Sequence, residues 1–152
     1  MKKLALLGVL VGILFFTGCS VGNKTLNCTK SGYSSGLSYT QTENVSFTGN
    51  KVTTYEIKLK FDLTRYATDP TTFNKMVETL RTEYLKAIEP GVMTTVYPEG
   101  NFVNVIFTIT MSNFDGYLDY LRLDLSSLKK NLYSPSQSKT SLENSGYSCT
   151  LN

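Results

Sequence analysis

Alternating apolar and polar positions predict two strands of a hairpin in the first half of the chain. Between residues 55 and 63, apolar side chains occupy every second position and polar side chains lie between them. This period of two is typical of a strand with one buried face. Residues 37–47 show the same alternation, and a Gly-Asn pair between the two segments predicts a tight turn. Because Gln41 and Glu43 interrupt its apolar face, we expect part of the earlier strand to lie at a rim of the sheet.

A helical period comes next and predicts one long helix. Asp69 directly precedes Pro70, which is the arrangement of an N-cap followed by proline at the first helical position. The helix is expected to end at residues 89–91 and to bury one face. That face consists of apolar side chains spaced three or four apart: Phe73, Met76, Val77, Leu80, Tyr84, Ala87 and Ile88. Residues 92–97 and 102–111 then predict a second hairpin.

The last quarter of the chain is predicted to hold shorter helices and a closing strand. Apolar residues recur at helical spacing in residues 114–128, whereas residues 133–141 are rich in Ser and Pro and are expected to form a surface connection. A short helix is expected around Leu142, followed by a strand at the C-terminus. This order predicts an α+β fold, in which one long helix and shorter late helices pack mainly on one face of an antiparallel sheet.

The N-terminus has the pattern of a bacterial lipoprotein leader. Lys2 and Lys3 precede an apolar run over residues 4–18, and Cys19 follows that run directly. The run is shorter than the roughly 18 residues that a membrane-spanning helix needs. It resembles a lipobox, in which the cysteine accepts a lipid anchor carrying fatty acids such as palmitate. We therefore predict a signal peptide over residues 1–18, lipidation of Cys19 and residence at the extracytoplasmic face of the cell membrane. An ordinary secretory signal is the alternative.

The two remaining cysteines predict a disulfide. With Cys19 lipidated, Cys28 and Cys149 are left at opposite ends of an exported domain. Both lie in short segments of strand character, so neighbouring terminal strands could bring them together. The alternative is a pair of buried, reduced thiols. The expected organisation is a short tether over residues 19–27 and a single domain over residues 28–152.

Composition excludes several kinds of chemistry. The chain contains no histidine, which excludes histidine-activated nucleophiles and zinc sites built on imidazole. Asp115 and Asp119 could hold a divalent cation, but a solvated helix face explains their spacing more simply. Once Lys2 and Lys3 are removed with the leader, the charge is close to neutral, so we expect no nucleic-acid partner. We predict no catalytic, cofactor-binding or metal-binding residue and no cofactor.

Aromatic residues supply the candidates for ligand contact. The chain has ten tyrosines and eight phenylalanines, and most of them fall on the buried positions of their predicted strand or helix. Tyrosines in or near loops are different, because their rings could stack on a ligand. These candidates are Tyr33, Tyr66, Tyr97 and Tyr133.

The layout of the chain resembles that of the small YehR-like bacterial lipoproteins. The shared features are a leader ending in a lipobox, a Cys-Thr strand, a threonine-rich hairpin, one long helix, a second hairpin and a closing Gly-Tyr-Ser-Cys strand. The molecular function of that family is unassigned, so the resemblance implies a fold and a location without an activity. We expect a non-catalytic binding or accessory domain whose partner is an envelope protein or a small ligand. The alternative is a carboxylate-dependent enzyme of the cell envelope.

Overall fold

The computed structural model describes residues 22–86, 89–118, 121, 123–130 and 133–152. The predicted leader over residues 1–18 and the predicted lipidation site Cys19 lie outside the described residues. So do Ala87 and Ile88 of the predicted helical face and Asp119 of the weak cation site. Within the described ranges, no helix is long and apolar enough to cross a bilayer.

A six-stranded sheet forms the centre of the fold, and each of its strand pairs is antiparallel. The strands are β1 Asn23–Ser34, β2 Leu37–Thr48, β3 Lys51–Asp62, β4 Val92–Glu99, β5 Phe102–Ile109, β6 Tyr117–Leu118, β7 Leu123–Asp124 and β8 Ser148–Leu151. The strand order in the sheet is β4-β5-β3-β2-β1-β8, and a separate two-stranded hairpin pairs β6 with β7. Together with the helices, this sheet confirms the predicted α+β class with an antiparallel sheet.

The strand register gathers the apolar positions of neighbouring strands on one face of the sheet. Tyr39 of β2 faces Phe61 of β3, and Phe61 in turn faces Val103 of β5. Because side chains alternate between the two faces of a strand, this register gives β2, β3 and β5 a common buried face. The burial of these positions confirms the alternation read from the sequence. The ring of Tyr84, on the first helix, lies 5.6 Å from that of Phe61 and 6.1 Å from that of Phe107.

Three α-helices are described: α1 Pro70–Tyr84, α2 Ser126–Lys129 and α3 Pro135–Asn144. The carboxylate of Asp69 accepts hydrogen bonds from the backbone N–H groups of Thr71 and Thr72, at 3.0 and 3.3 Å. These bonds satisfy N–H groups that have no partner inside the helix, and they confirm the predicted N-cap. The helix ends at Tyr84, earlier than the predicted end at residues 89–91.

The last quarter of the chain differs from the prediction in two places. The predicted helix over residues 114–128 is wrong, because the described residues of this segment form the β6–β7 hairpin and the start of the short helix α2. A glycine with positive φ, Gly116 at 111°, turns the chain before β6, and its carbonyl accepts the N–H of Leu125 at 2.7 Å. The predicted surface connection over residues 133–141 is also wrong. Most of it belongs to α3, whose first turn is held by a capping box between Ser134 and Gln137.

The two ends of the described chain are joined in the sheet. Strand β1 begins at Asn23, so the second part of the predicted tether over residues 19–27 belongs to the sheet. Cys28 of β1 faces Cys149 of β8, and the two form the predicted disulfide across 121 residues of sequence. In the chain-entropy treatment, a closed loop of this length stabilises the fold by about 5 kcal/mol.

Candidate functional site

A cavity of about 320 Å³ lies between the sheet and the late helices. Its volume is at the small end of the range that binding pockets occupy, about 300 to 1,000 Å³. Strands β1, β2 and β3 contribute one wall, and the segment from β7 to α3 contributes the other. Its apolar lining comes from both walls: Val45, Leu123, Leu125, Leu128 and Leu142.

A buried carboxylate lies at the sheet side of this cavity. Glu43 is only 1% exposed, and its carboxylate accepts a hydrogen bond from the amide of Gln41 at 3.0 Å. The hydroxyls of Tyr55 and Tyr147 donate to the same carboxylate, one to each oxygen. We call these four residues the Glu43 cluster. Its donors are all neutral, and within the described part of the chain Glu43 takes part in no ion pair.

The expectation that Gln41 and Glu43 lie at a rim of the sheet is therefore wrong. Both occupy odd positions of β2, the parity that also carries the buried Val45. A charged group can occupy such a position only when hydrogen bonds replace the water it has lost. Tyr55 on the neighbouring strand faces Val45, which places it diagonally next to Glu43, and Tyr147 arrives from the connection between α3 and β8.

Both tyrosines of the cluster remain protonated at neutral pH. Burial raises the pKa of the Tyr55 hydroxyl well above 10, and the nearby charge of Glu43 and their hydrogen bond raise it further. Burial is also the main cause that raises the pKa of Tyr147, followed by its hydrogen bond to Glu43. Since each hydroxyl already donates its proton to the carboxylate, the oxygen atoms of the cluster have only acceptor capacity left.

Two further charged side chains line the cavity. The ammonium of Lys30 lies over the ring of Tyr147, 4.2 Å from its centroid, in a cation–π contact. Asp124 accepts the N–H of Ser126 at 2.9 Å, and hydrogen bonds from the side chain and backbone of Ser126 hold its pKa below the ordinary value. Lys30 also lines an adjoining depression of about 400 Å³ next to α1. Counting Glu43, the first cavity is lined by two carboxylates and one ammonium.

A buried hydroxyl without a partner faces the same space. Ser138 is 3% exposed, and among the described residues its Oγ finds no hydrogen-bond partner. Buried polar side chains in folded proteins are nearly always hydrogen-bonded, so this hydroxyl has bonding capacity left for a partner outside the described residues. Helix α3 fixes its position, since the capping residue Ser134 accepts the backbone N–H of Ser138 at 2.9 Å.

Of the four tyrosines predicted as candidates, Tyr133 lines this cavity, and its side chain is 39% exposed. Tyr33 lies near the end of β1, is 70% exposed and borders a different, shallow depression. The ring of Tyr66 lies under the guanidinium of Arg65, 4.6 Å away, and Tyr97 belongs to strand β4. The central residues of the cavity, Glu43 and Ser138, were not among the predicted candidates.

This arrangement is suited to holding a polar group rather than to transferring a proton. The carboxylate of Glu43 already accepts three hydrogen bonds, and that of Asp124 is engaged at the start of α2. Within the described ranges, no three acidic or cysteine side chains come close enough together to hold a metal ion. The predicted disulfide lies next to the cluster, because Cys28 faces Glu43 in the register of β1 and β2.

No family model matches the sequence, and no curated protein matches it. Two solved structures are similar. An NMR structure of a protein from Streptococcus pneumoniae TIGR4 has a TM-score of 0.50 at 17% identity, and the match covers 99% of this chain and 97% of that chain. The NMR structure of the Escherichia coli YehR protein has a TM-score of 0.48 at 18% identity, covering 82% of this chain and 89% of that chain. The similarity to the pneumococcal protein shows a common fold.

Proposed function

We propose that this chain is an extracytoplasmic lipoprotein, anchored in the cell membrane through Cys19, whose domain is a non-catalytic binding module. The observation that carries the binding role is the cavity, which holds a buried carboxylate and a buried hydroxyl without a partner. We place the chain among the YehR-like lipoproteins on the layout of its sequence. We also propose that the helices pack mainly on the sheet face that carries Glu43.

The membrane anchor is supported by the leader and by the cysteine that follows it. Two or more acyl chains give stable membrane residence, since each buried methylene contributes about 0.8 kcal/mol. The disulfide agrees with an exported protein, because such bonds persist in oxidising compartments. With β1 starting at Asn23, the chain from Cys19 spans no more than about 14 Å, which keeps the domain close to the bilayer.

A binding role is favoured over the alternative of a carboxylate-dependent enzyme. Glu43 and Asp124 line one cavity, which is the feature that such an enzyme would need. Both carboxylates, however, accept hydrogen bonds from neutral groups of the protein, and these bonds fix them in place as acceptors for a bound ligand.

Fractionation of cells grown with labelled palmitate tests the anchor. We expect the chain to carry the label and to sediment with membranes, and Cys19→Ala to lose the label and either to be released or to keep its leader uncleaved. Ser20→Ala is the matched control and should behave like the unchanged chain. A Cys19→Ala product that is still labelled and still sediments with membranes would contradict the anchor.

A ligand screen by NMR tests the binding role. Small compounds of different charge are added to the purified chain with its disulfide intact, and the perturbed amides are mapped. We expect at least one compound to perturb residues around the cavity, and Leu142→Trp, which narrows it, to weaken the effect. If no compound perturbs the cavity, the binding role is wrong.

A further inference from the structure

We propose that the cavity binds a small organic cation, a primary ammonium compound with an apolar body, whose ammonium lies between the Glu43 cluster and Ser138. This inference rests on the proposed binding role and adds the chemical class of the ligand. It is carried by the charge of the lining side chains, by their hydrogen-bonding capacity and by the apolar walls.

The charge of the cavity favours a cation. Two carboxylates, Glu43 and Asp124, and one ammonium, that of Lys30, line it. Lys30 does not neutralise Glu43 by direct contact, because its ammonium packs on the ring of Tyr147 and the two side chains form no ion pair. A buried carboxylate with only neutral partners gains free energy when a cation approaches, since the interior screens charge weakly. An anionic ligand would face the same carboxylate and would be repelled.

The hydrogen-bonding capacity of the site also favours a donor-rich ligand. The tyrosine hydroxyls of the cluster donate to Glu43, so their oxygens and the carboxylate can only accept from a ligand. On the opposite wall, Ser138 is 3% exposed, and its hydroxyl, which can accept as well as donate, has no partner among the described residues. A primary ammonium carries three N–H donors and no acceptor. It could therefore donate to the cluster and to Ser138 at once.

The apolar walls and the volume of the cavity determine the polarity and the size of the rest of the ligand. Leucine side chains at positions 123, 125, 128 and 142 line the cavity, so an aliphatic or aromatic body would lose contact with water against them. The volume of about 320 Å³ corresponds to about ten water molecules at about 30 Å³ each. Such a space fits one small ring or short alkyl chain together with its head group.

Three probes that differ only in their head group test the inference: cyclohexylmethylammonium, cyclohexylmethanol and cyclohexanecarboxylate. The purified full chain, with its disulfide intact, is kept in detergent, as its proposed lipid anchor requires. The affinity of each probe for the chain is measured by calorimetry, and the heat of adding the probe to detergent alone is subtracted. We expect the ammonium to bind about tenfold or more tightly than the alcohol, because a hydrogen bond from a charged donor is stronger than one from a neutral donor. The carboxylate should bind more weakly than the alcohol.

Matched variants locate the effect. Glu43→Gln should weaken binding of the ammonium about tenfold and leave binding of the alcohol within about twofold. Glu56→Gln is the control, since it makes the same change on the opposite face of the sheet, where Glu56 accepts from Asn44 at 3.1 Å. It should leave all three affinities unchanged. If Glu43→Gln does not fold, Ser138→Ala replaces it, and a loss of about threefold to tenfold for the ammonium is expected.

The outcomes separate this inference from the binding role on which it rests. One contrary result is binding of the alcohol or the carboxylate at the cavity with an affinity equal to or above that of the ammonium. This result overturns the inference of a cationic ligand and leaves the binding role unchanged. Ammonium binding that is unchanged in both Glu43→Gln and Ser138→Ala also overturns it. If none of the three probes binds, the inference of a cationic ligand is wrong, and the wider screen described above then decides the binding role.

Discussion

The hydroxyl of Tyr55 provides a direct test of how the buried carboxylate is held. Tyr55 and Glu43 are each 1% exposed, so water cannot replace the hydrogen bond that Tyr55→Phe removes. A hydrogen bond to a charged group contributes about 1.5 to 3 kcal/mol, and we expect Tyr55→Phe to lower the free energy of unfolding by about 2 kcal/mol. Tyr147→Phe should cost less, about 1 kcal/mol, because Tyr147 is 7% exposed and water can therefore replace part of the bond that it loses.

Equilibrium unfolding in urea, followed by far-ultraviolet circular dichroism, measures these losses. With a slope of about 2 kcal/mol/M, the Tyr55→Phe midpoint should fall by about 1 M without a change of slope. Tyr39→Phe is the matched control on the same face of β2, because its hydroxyl donates to no group within the described residues; it should cost less than about 0.5 kcal/mol. If Tyr55→Phe costs no more than Tyr39→Phe, the hydrogen bonds of the Glu43 cluster do not stabilise the fold as argued.

Three further predictions concern the disulfide, the alkaline range and the turns. The double variant Cys28→Ala, Cys149→Ala should lose about 5 kcal/mol in urea unfolding, and an unchanged midpoint would refute that estimate. The tyrosines of the Glu43 cluster have raised pKa values in the folded chain, so above about pH 10 the unfolded chain loses their protons first. The free energy of unfolding should therefore fall as the pH rises from about 10. Absorbance titration should show tyrosines that ionise only on unfolding. Gly91→Ala should lower the thermal midpoint far more than Gly100→Ala, although both glycines have positive φ. A Cβ at Gly91 would lie 2.7 Å from backbone atoms, whereas a Cβ at Gly100 would have no atom within 4 Å. Gly100→Ala should cost only about 1 to 2 kcal/mol, and equal losses would refute the steric argument.

The sheet could be predicted because its signal is local. In β3 and β5, apolar side chains occupy every second position, and that period survives in the structure. The prediction of a rim at Glu43 is wrong because the burial of Glu43 depends on Tyr147, a partner that no local pattern of the sequence indicates. Tyr147 is separated from Glu43 by 104 residues, and only the closing strand β8 brings them together.

In the late part of the chain, prediction from the sequence fails for a different reason. Apolar residues three and four apart in residues 114–128 fit a helix, yet a hairpin with leucines on both strands gives similar spacing over so few residues. For α3, however, a signal was present in the sequence. Ser134 and Gln137 stand at the spacing of a capping box, and Pro135 occupies the first helical position. That helix places Ser138 at the cavity, so reading its start correctly would also have pointed to the site.

Nuclear Overhauser effects between a bound ammonium probe and the protein test the central claim most directly. With cyclohexylmethylammonium bound, we expect contacts from its methylene next to the nitrogen to the ring of Tyr147, and from its cyclohexyl ring to the methyl groups of Leu142. Both residues line the cavity. Contacts confined to the opposite face of the sheet, or none to either residue at saturating probe, would contradict the proposal that this cavity is a ligand site with Glu43 beside the charged group.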